Sequence, residues 1–300
     1  MRTRAALAGL VALACAAGLS AAGSDDAASA AAKRASLIVF VSSPDPMTHD
    51  ITVMTAGGKR RTNLTTDVDT SETSPALSPD GTKIAFRSTR EGTGDIFVMG
   101  VDGSNPVNLT HASTEEDNES PSFSPDGKRI VFASSAYTDP GARGVYVMRI
   151  DGSHLHKLTP SDGYEPVYSP DGHRIAFQRG NDVWIMHADG SHQRNLTGPA
   201  FDGYVPSFSP DGKRIVYASH TAAGDLDVFV MTSRGRILHD LTARSRKHDV
   251  SPSYLPDGER IVYTGGVTGD IYVMRADGTK VRNLTETPDI GEYDSAAQPG

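Results

Sequence analysis

Cysteine is almost missing from this chain: 300 residues hold one, Cys15, and it lies in the first apolar stretch. No disulfide can brace the body of the protein, and no thiol chemistry can be built there. An excess of positive charge is missing too. Asp and Glu number 37 against 29 Lys and Arg, giving a formal net charge of −8. Such a surface repels nucleic-acid phosphates and anionic lipid headgroups, so neither is expected as a partner. After residue 36 no apolar run is long enough to span a bilayer as a helix. Neither a Gly-x-Ser-x-Gly turn nor a His-Glu-x-x-His spacing occurs, which removes two common hydrolase signatures.

The start of the chain is informative. Arg2 and Arg4 precede an apolar run over residues 5–19, and Ser20-Ala21-Ala22 follows with small side chains. That order predicts a cleaved export signal over residues 1–22. Residues 23–36 are rich in Ala, Ser, Asp and Lys without periodicity and read as a flexible leader. An exported chain, periplasmic or extracellular, is expected. Lipid anchoring at Cys15 is the alternative, and the residues before that cysteine fit it poorly. Cleavage would remove two arginines and no acid, leaving the mature chain more acidic still.

The body is a repeat. Ser78-Pro79-Asp80-Gly81 returns as Ser124-Pro125-Asp126-Gly127, Ser169-Pro170-Asp171-Gly172, Ser209-Pro210-Asp211-Gly212 and Leu255-Pro256-Asp257-Gly258. The interval is about 40 to 46 residues, a period that marks propellers and solenoids. Proline presets the first corner of a tight turn and glycine supplies its left-handed end, so each copy joins two strands. A second signature trails each corner, as in Asp95-Ile96-Phe97-Val98-Met99, Asp102-Gly103 and Asn108-Leu109-Thr110. Its Gly turn between β-rich runs is a hairpin signal. Six such signatures fall between residues 37 and 300. The predicted fold is all-β: a six-bladed propeller with four antiparallel strands per blade. Residues 37–41 match a second strand with no first strand before it. Residues 293–299 are therefore expected to complete the first blade and close the ring, with Ala297 where other blades carry an aromatic residue or Leu.

These corners and trailing signatures resemble the WD40-like (PD40) repeats of the TolB β-propeller family, over nearly the whole chain after the leader. The resemblance implies a non-catalytic, protein-binding or scaffolding role at the cell envelope. TolB proteins carry an α/β domain ahead of the propeller, whereas the residues before Leu37 read only as signal and leader. Propellers of this kind also cover prolyl oligopeptidase-type hydrolases, but the nucleophile turn those need is missing here.

Most repeated residues read as structural. The corner Asp residues are too few per turn for calcium. Asn63, Asn108, Asn195 and Asn283 recur at one blade position, which favours repeat chemistry over glycosylation. Met54, Met99, Met148, Met186, Met231 and Met274 share another position, as packing residues do. Binding is expected on the irregular loops instead. Residues 67–72 and 115–119 are acidic, Tyr164 and Phe201 with Tyr204 make two loops aromatic, and residues 244–249 include the one basic run. The candidate binding residues are Glu119, Tyr164, Tyr204, Arg246, His248 and Asp249. No catalytic residue, metal or cofactor is expected, and the chain is expected to be monomeric. A metal-dependent lyase or lactonase-like enzyme at the channel mouth is the rival reading. Against it, no first strand carries a histidine, and only His49, His111, His220 and His248 fall on the loop side.

Overall fold

The computed structural model describes residues 36–45, 48–66, 70–111, 116–136, 143–198, 202–245, 247–266 and 269–299. The export signal, Cys15, nearly all of the leader, Phe201 and Arg246 lie outside them. Strands β1 (Leu37–Asp45), β2 (Thr48–Thr55) and β3 (Thr62–Asn63) begin blade 1. Blade 2 is β4 (Glu72–Leu77), β5 (Lys83–Ser88), β6 (Asp95–Gly100) and β7 (Val107–Asn108). Blade 3 is β8 (Glu116–Phe123), β9 (Arg129–Ala136), β10 (Gly144–Arg149) and β11 (His156–Lys157). Blade 4 is β12 (Tyr164–Tyr168), β13 (Arg174–Arg179), β14 (Asp182–His187) and β15 (Arg194–Asn195). Blade 5 is β16 (Tyr204–Phe208), β17 (Arg214–His220), β18 (Leu226–Thr232) and β19 (Ile237–Asp240). Blade 6 is β20 (Asp249–Tyr254), β21 (Arg260–Gly265), β22 (Asp270–Arg275) and β23 (Arg282–Asn283). The last strand, β24 (Gly291–Ala297), pairs antiparallel with β1 and completes blade 1, Ile38 facing Ala297. The inner strands touch in the cycle β24, β4, β8, β12, β16, β20 and back to β24. The ring is closed.

Local chemistry makes the corners. In four of them the serine hydroxyl donates to the turn aspartate, as from Ser78 to Asp80 at 2.6 Å and from Ser209 to Asp211 at 2.6 Å. The same hydroxyl accepts the amide of the next strand, Lys83 N–H at 2.9 Å from Ser78 Oγ. Gly81 and Gly212 each take φ 66°, a left-handed angle that glycine adopts at little cost. Blade 6 lacks the serine, and Asp257 instead receives Arg260 Nε at 2.7 Å.

The trailing signature is a clasp. Asn108 Nδ2 donates to Asp95 Oδ2 at 2.9 Å, and Thr110 Oγ1 donates to Asp95 Oδ1 at 2.6 Å. Asn63 with Asp50, Asn195 with Asp182 and Asn283 with Asp270 repeat the amide bond. The Asn-Leu-Thr triplets thus tie the outer strand of a blade to its third strand. Blades 3 and 5 depart: Lys157 and Asp240 stand where the other four blades have Asn, and Asp240 faces Asp227. Burial, then the charge of Asp240, raises the Asp227 carboxyl to about 7, and the pair shares a proton.

Six apolar clusters fill the six blade interfaces, and each contains one of the six repeated methionines. All six are at most 1% exposed. Burial of each contributes about 1.5–3 kcal/mol, so packing between blades, not metal binding, occupies them.

Candidate functional site at the channel mouth

The inner strands surround a central cavity of about 200 Å³. Pro75, Pro121, Pro166, Pro206 and Pro252 line it. An inner strand has no ladder partner on its channel side, so the amide that proline lacks is not missed there.

Beside these prolines the pairing slips in every inner strand. Register shifts occur between Thr73 and Ala76, Glu119 and Ser122, Tyr164 and Val167, Tyr204 and Ser207, and Val250 and Ser253, with a matching shift where β24 meets β1. A bulge of this kind re-aims one side chain. The residue concerned is left-handed each time: Ser74 (φ 51°), Ser120 (54°), Glu165 (48°), Val205 (48°), Ser251 (48°) and Asp294 (50°). All six line the cavity. In ring order Glu165 and Asp294 stand three blades apart, on opposite sides of the channel.

The electrostatics are unusual. Burial first, then the charges of Asp294 and Glu119, push the Glu165 carboxyl from 4.5 to about 8, against a bond from the Ser120 hydroxyl. Asp294 is raised by burial, opposed by the Ser251 hydroxyl at 3.4 Å, the Ser74 amide and His49. Glu119 is raised by burial and by Asp117, opposed by Arg87. Three carboxyls at or beside the channel are thus shifted towards the neutral form. Such perturbation inside a cleft marks a candidate site.

Of the residues chosen from sequence, Glu119 belongs to this acid group. Tyr164 opens β12 and Tyr204 opens β16, both part-buried at the mouth. The Tyr204 hydroxyl donates to Asp202 at 3.4 Å and its ring meets His220 edge-on, centroids 5.6 Å apart. His248 is exposed, yet its Nδ1 accepts the Leu226 amide at 3.1 Å, which ties two loops together. Asp249 is 2% exposed at the head of β20, with the Ser245 and Thr242 hydroxyls donating to it. Burial raises its carboxyl, opposed by those hydroxyls and by Lys247. Sequence reasoning missed Glu165 and Asp294. Their signal was present: the residue before the strand proline changes chemistry from blade to blade while the proline itself recurs in five of the six. His49, His111, His220 and His248 sit in four different blades or linkers. Among the described residues no group of three or more His, Cys, Asp or Glu is arranged to hold a metal. No helix of the described residues is long and apolar enough to cross a membrane.

Comparison with known proteins agrees with this geometry. Among solved structures, TolB from Acinetobacter baumannii superposes with a TM-score of 0.73 at 22% identity, over 88% of this chain and 67% of that one. A nidogen/laminin complex matches at TM-score 0.69 and 12% identity, over 88% and 98%. An oligogalacturonate lyase in complex with manganese matches at TM-score 0.55 and 16% identity, over 79% and 71%. Identities this low establish a shared fold. No protein of curated function matches the sequence. The TolB beta propeller domain model, PD40, matches residues 27–132 and 193–298, more than half of the chain. The chain therefore belongs to the TolB beta-propeller (PD40) family.

Proposed function

We propose that this chain is an exported, non-catalytic propeller that binds a protein or envelope component on its loop face, around the channel mouth. One observation carries the reading. At the six left-handed positions the backbone is constant while the side chain is Ser, Ser, Glu, Val, Ser and Asp in turn. A residue whose conformation the fold fixes, but whose chemistry it does not, is free to serve recognition. The aromatic rim of Tyr164 and Tyr204 and the half-suppressed acids below it suit a partner segment with an apolar stem and a hydrogen-bond-donating tip. TolB and a nidogen/laminin complex among the structural neighbours support a protein partner. Export rests on the charge and apolar pattern of residues 1–22.

The experiment is affinity capture from envelope extract with the full exported chain as bait, beside Tyr164→Ala/Tyr204→Ala and Glu165→Gln baits, each shown by circular dichroism to be folded at the capture pH. A partner held by the native bait and lost by the altered ones supports the reading. Equal capture by all baits removes the channel mouth from it. The rival is metal-dependent lyase chemistry at the same mouth, favoured by the likeness to a manganese-bound lyase and by the three acids. A melting temperature raised by manganese and restored by chelator, together with cleavage of an acidic saccharide, would decide for that rival.

A further inference from the structure

The opposite, turn-bearing side of the ring carries a feature that neither the family nor the channel accounts for. Between the outer parts of blades 5 and 6 lies a cleft of about 1040 Å³, lined by seven Lys and Arg against the two acids Glu259 and Asp277, in a chain whose net charge is −8. Arg236, Lys280 and Arg282 are exposed there and make no ion pair among the described residues. Lys213 has only a loose contact, 3.7 Å to Asp211. The corresponding cleft between blades 2 and 3 has about 890 Å³ and is lined by Lys83, His111 and Asp151 among neutral residues. The fold makes the cleft, and the sequence makes this copy basic.

The repeat itself shows that the charge is not structural. In the turns before the outer strands of blades 2, 3 and 6 an aspartate accepts the hydroxyl of Ser104, Ser153 or Thr279. Blade 5 has Arg234 at that place, and Thr232 Oγ1 takes over by accepting the Arg236 amide at 3.1 Å. Blade 1 does the same, Thr55 Oγ1 accepting the Lys59 amide at 3.2 Å ahead of Arg60. The acid is dispensable for the turn, and three successive blades (5, 6 and 1) carry cations around it.

A second, independent observation concerns the sheet edge. The outermost strands β3, β7, β11, β15 and β23 have 2 residues each, whereas β19 has 4. Short outer strands blunt an edge against pairing, and a longer one leaves backbone donors and acceptors open. Beside this edge Leu238 and Ala276, both only partly buried, give an apolar floor.

We infer that this cleft docks an extended, acidic protein segment, which adds as a fifth strand along β19 and sets carboxylates against Arg236, Lys280 and Lys213. Strand addition supplies main-chain bonds while alternate side chains supply specificity, so acids on one side and apolar residues on the other match the basic rim and the floor. A polyphosphate or an anionic polysaccharide would answer the charge but use neither the open edge nor Leu238. The site lies on the face away from the channel mouth, so it stands or falls separately from the proposed function.

The test is fluorescence anisotropy with the full chain and a short labelled peptide of alternating Glu and Val. Controls are the Lys-Val peptide, the Glu-Val peptide N-methylated at alternate amides, and inorganic polyphosphate as competitor. Arg236→Glu/Lys280→Glu changes only exposed positions, and its melting temperature should match that of the native chain. Binding of the Glu-Val peptide should fall by about ten-fold or more in that variant, and by a similar factor on N-methylation. Equal binding to native and charge-reversed chains would overturn the inference. So would equal binding of the methylated peptide, since charge alone would then suffice and a polyanion would be the ligand. Self-association abolished by the same charge reversal would also overturn it, making a second copy the occupant. The peptide arms remain decisive even if the variant folds poorly.

Discussion

Replacing Glu165 by Gln should stabilise the propeller in alkaline solution and leave it almost unchanged in acid. The folded-state carboxyl sits near 8 against 4.5 for an ordinary one, with burial as the main cause. The folded protein therefore binds this proton more tightly than the unfolded chain does. Its contribution is fully present below pH 4.5, declines as pH rises, and is lost above about 8. At about 1.4 kcal/mol per pH unit the difference could reach roughly 4–5 kcal/mol. Glu165 is only part-buried, however, and faces the channel, where solvent screens part of that sum. About 2 kcal/mol is the expected plateau. For a domain of this size that corresponds to roughly 4–8 °C in melting temperature. The assay is thermal melting of both proteins at steps from pH 4.5 to 9. The two curves should coincide at the acid end and separate progressively towards pH 8. A separation independent of pH would refute the reasoning, because it would mean that packing, not a suppressed charge, distinguishes the two side chains.

Other outcomes follow from the same chemistry. Asp240→Asn restores the clasp amide to blade 5 and removes the shared proton, so it should stabilise by about 2 kcal/mol at pH 8 and by little at pH 4, read from melts at both values. Met231→Ala empties a fully buried position between blades 4 and 5 and should cost about 2–5 kcal/mol in chemical denaturation. Ser209→Ala removes both corner bonds of one blade and should cost about 1 kcal/mol, whereas Leu255→Ser should cost more, about 2–5 kcal/mol in chemical denaturation, because Leu255 is fully buried in the cluster between blades 6 and 1 and Asp257 is already engaged with Arg260. If the partner's tip is cationic, it will draw the Glu165 proton off. Its affinity should then rise between pH 6 and 8 for the native protein and stay flat for Glu165→Gln, measured by titration calorimetry.

The ring was legible because its determinants are local. A Ser-Pro-Asp-Gly corner contains its own donor, acceptor and left-handed glycine, and the methionine spacing places one sulfur in each blade interface. Even the closing strand could be read, since Tyr293 and Ser295 repeat the register of Tyr164 and Pro166. The channel was not legible to the same depth. Strict alternation along Tyr164-Glu165-Pro166-Val167-Tyr168 puts Glu165 and Val167 on one side of the strand. Both line the cavity, but the bulge between Tyr164 and Val167 also gives Glu165 a left-handed backbone, which alternation does not show. A bulge is set by pairing across strands, which no five-residue window contains. Asp249 is buried, at 2% exposure, where its loop suggested a surface position. Its loop looked basic and solvated, but the strand claims the residue and buries it among hydroxyls. Glu119, Tyr164 and Tyr204 were chosen by position in the blade, and the structure places Glu119 within electrostatic reach of Glu165 and the two tyrosines at the heads of inner strands.

The six left-handed residues also bear on what the channel is for. A non-glycine residue in this conformation costs about 1 kcal/mol or more, and a β-branched one such as Val205 is a marked outlier. Summed over the ring the strain is of the order of the net stability of a typical domain. Glycine would relieve it, yet none of the six positions is Gly or Asn, the residues that tolerate this conformation best. The geometry does not demand the side chains themselves, because Ser, Glu, Val and Asp all occupy it. What the strained positions share is only that each places a side chain into one cavity. Strain retained where a cheaper residue exists points to the side chain, as the proposed binding at the channel mouth requires.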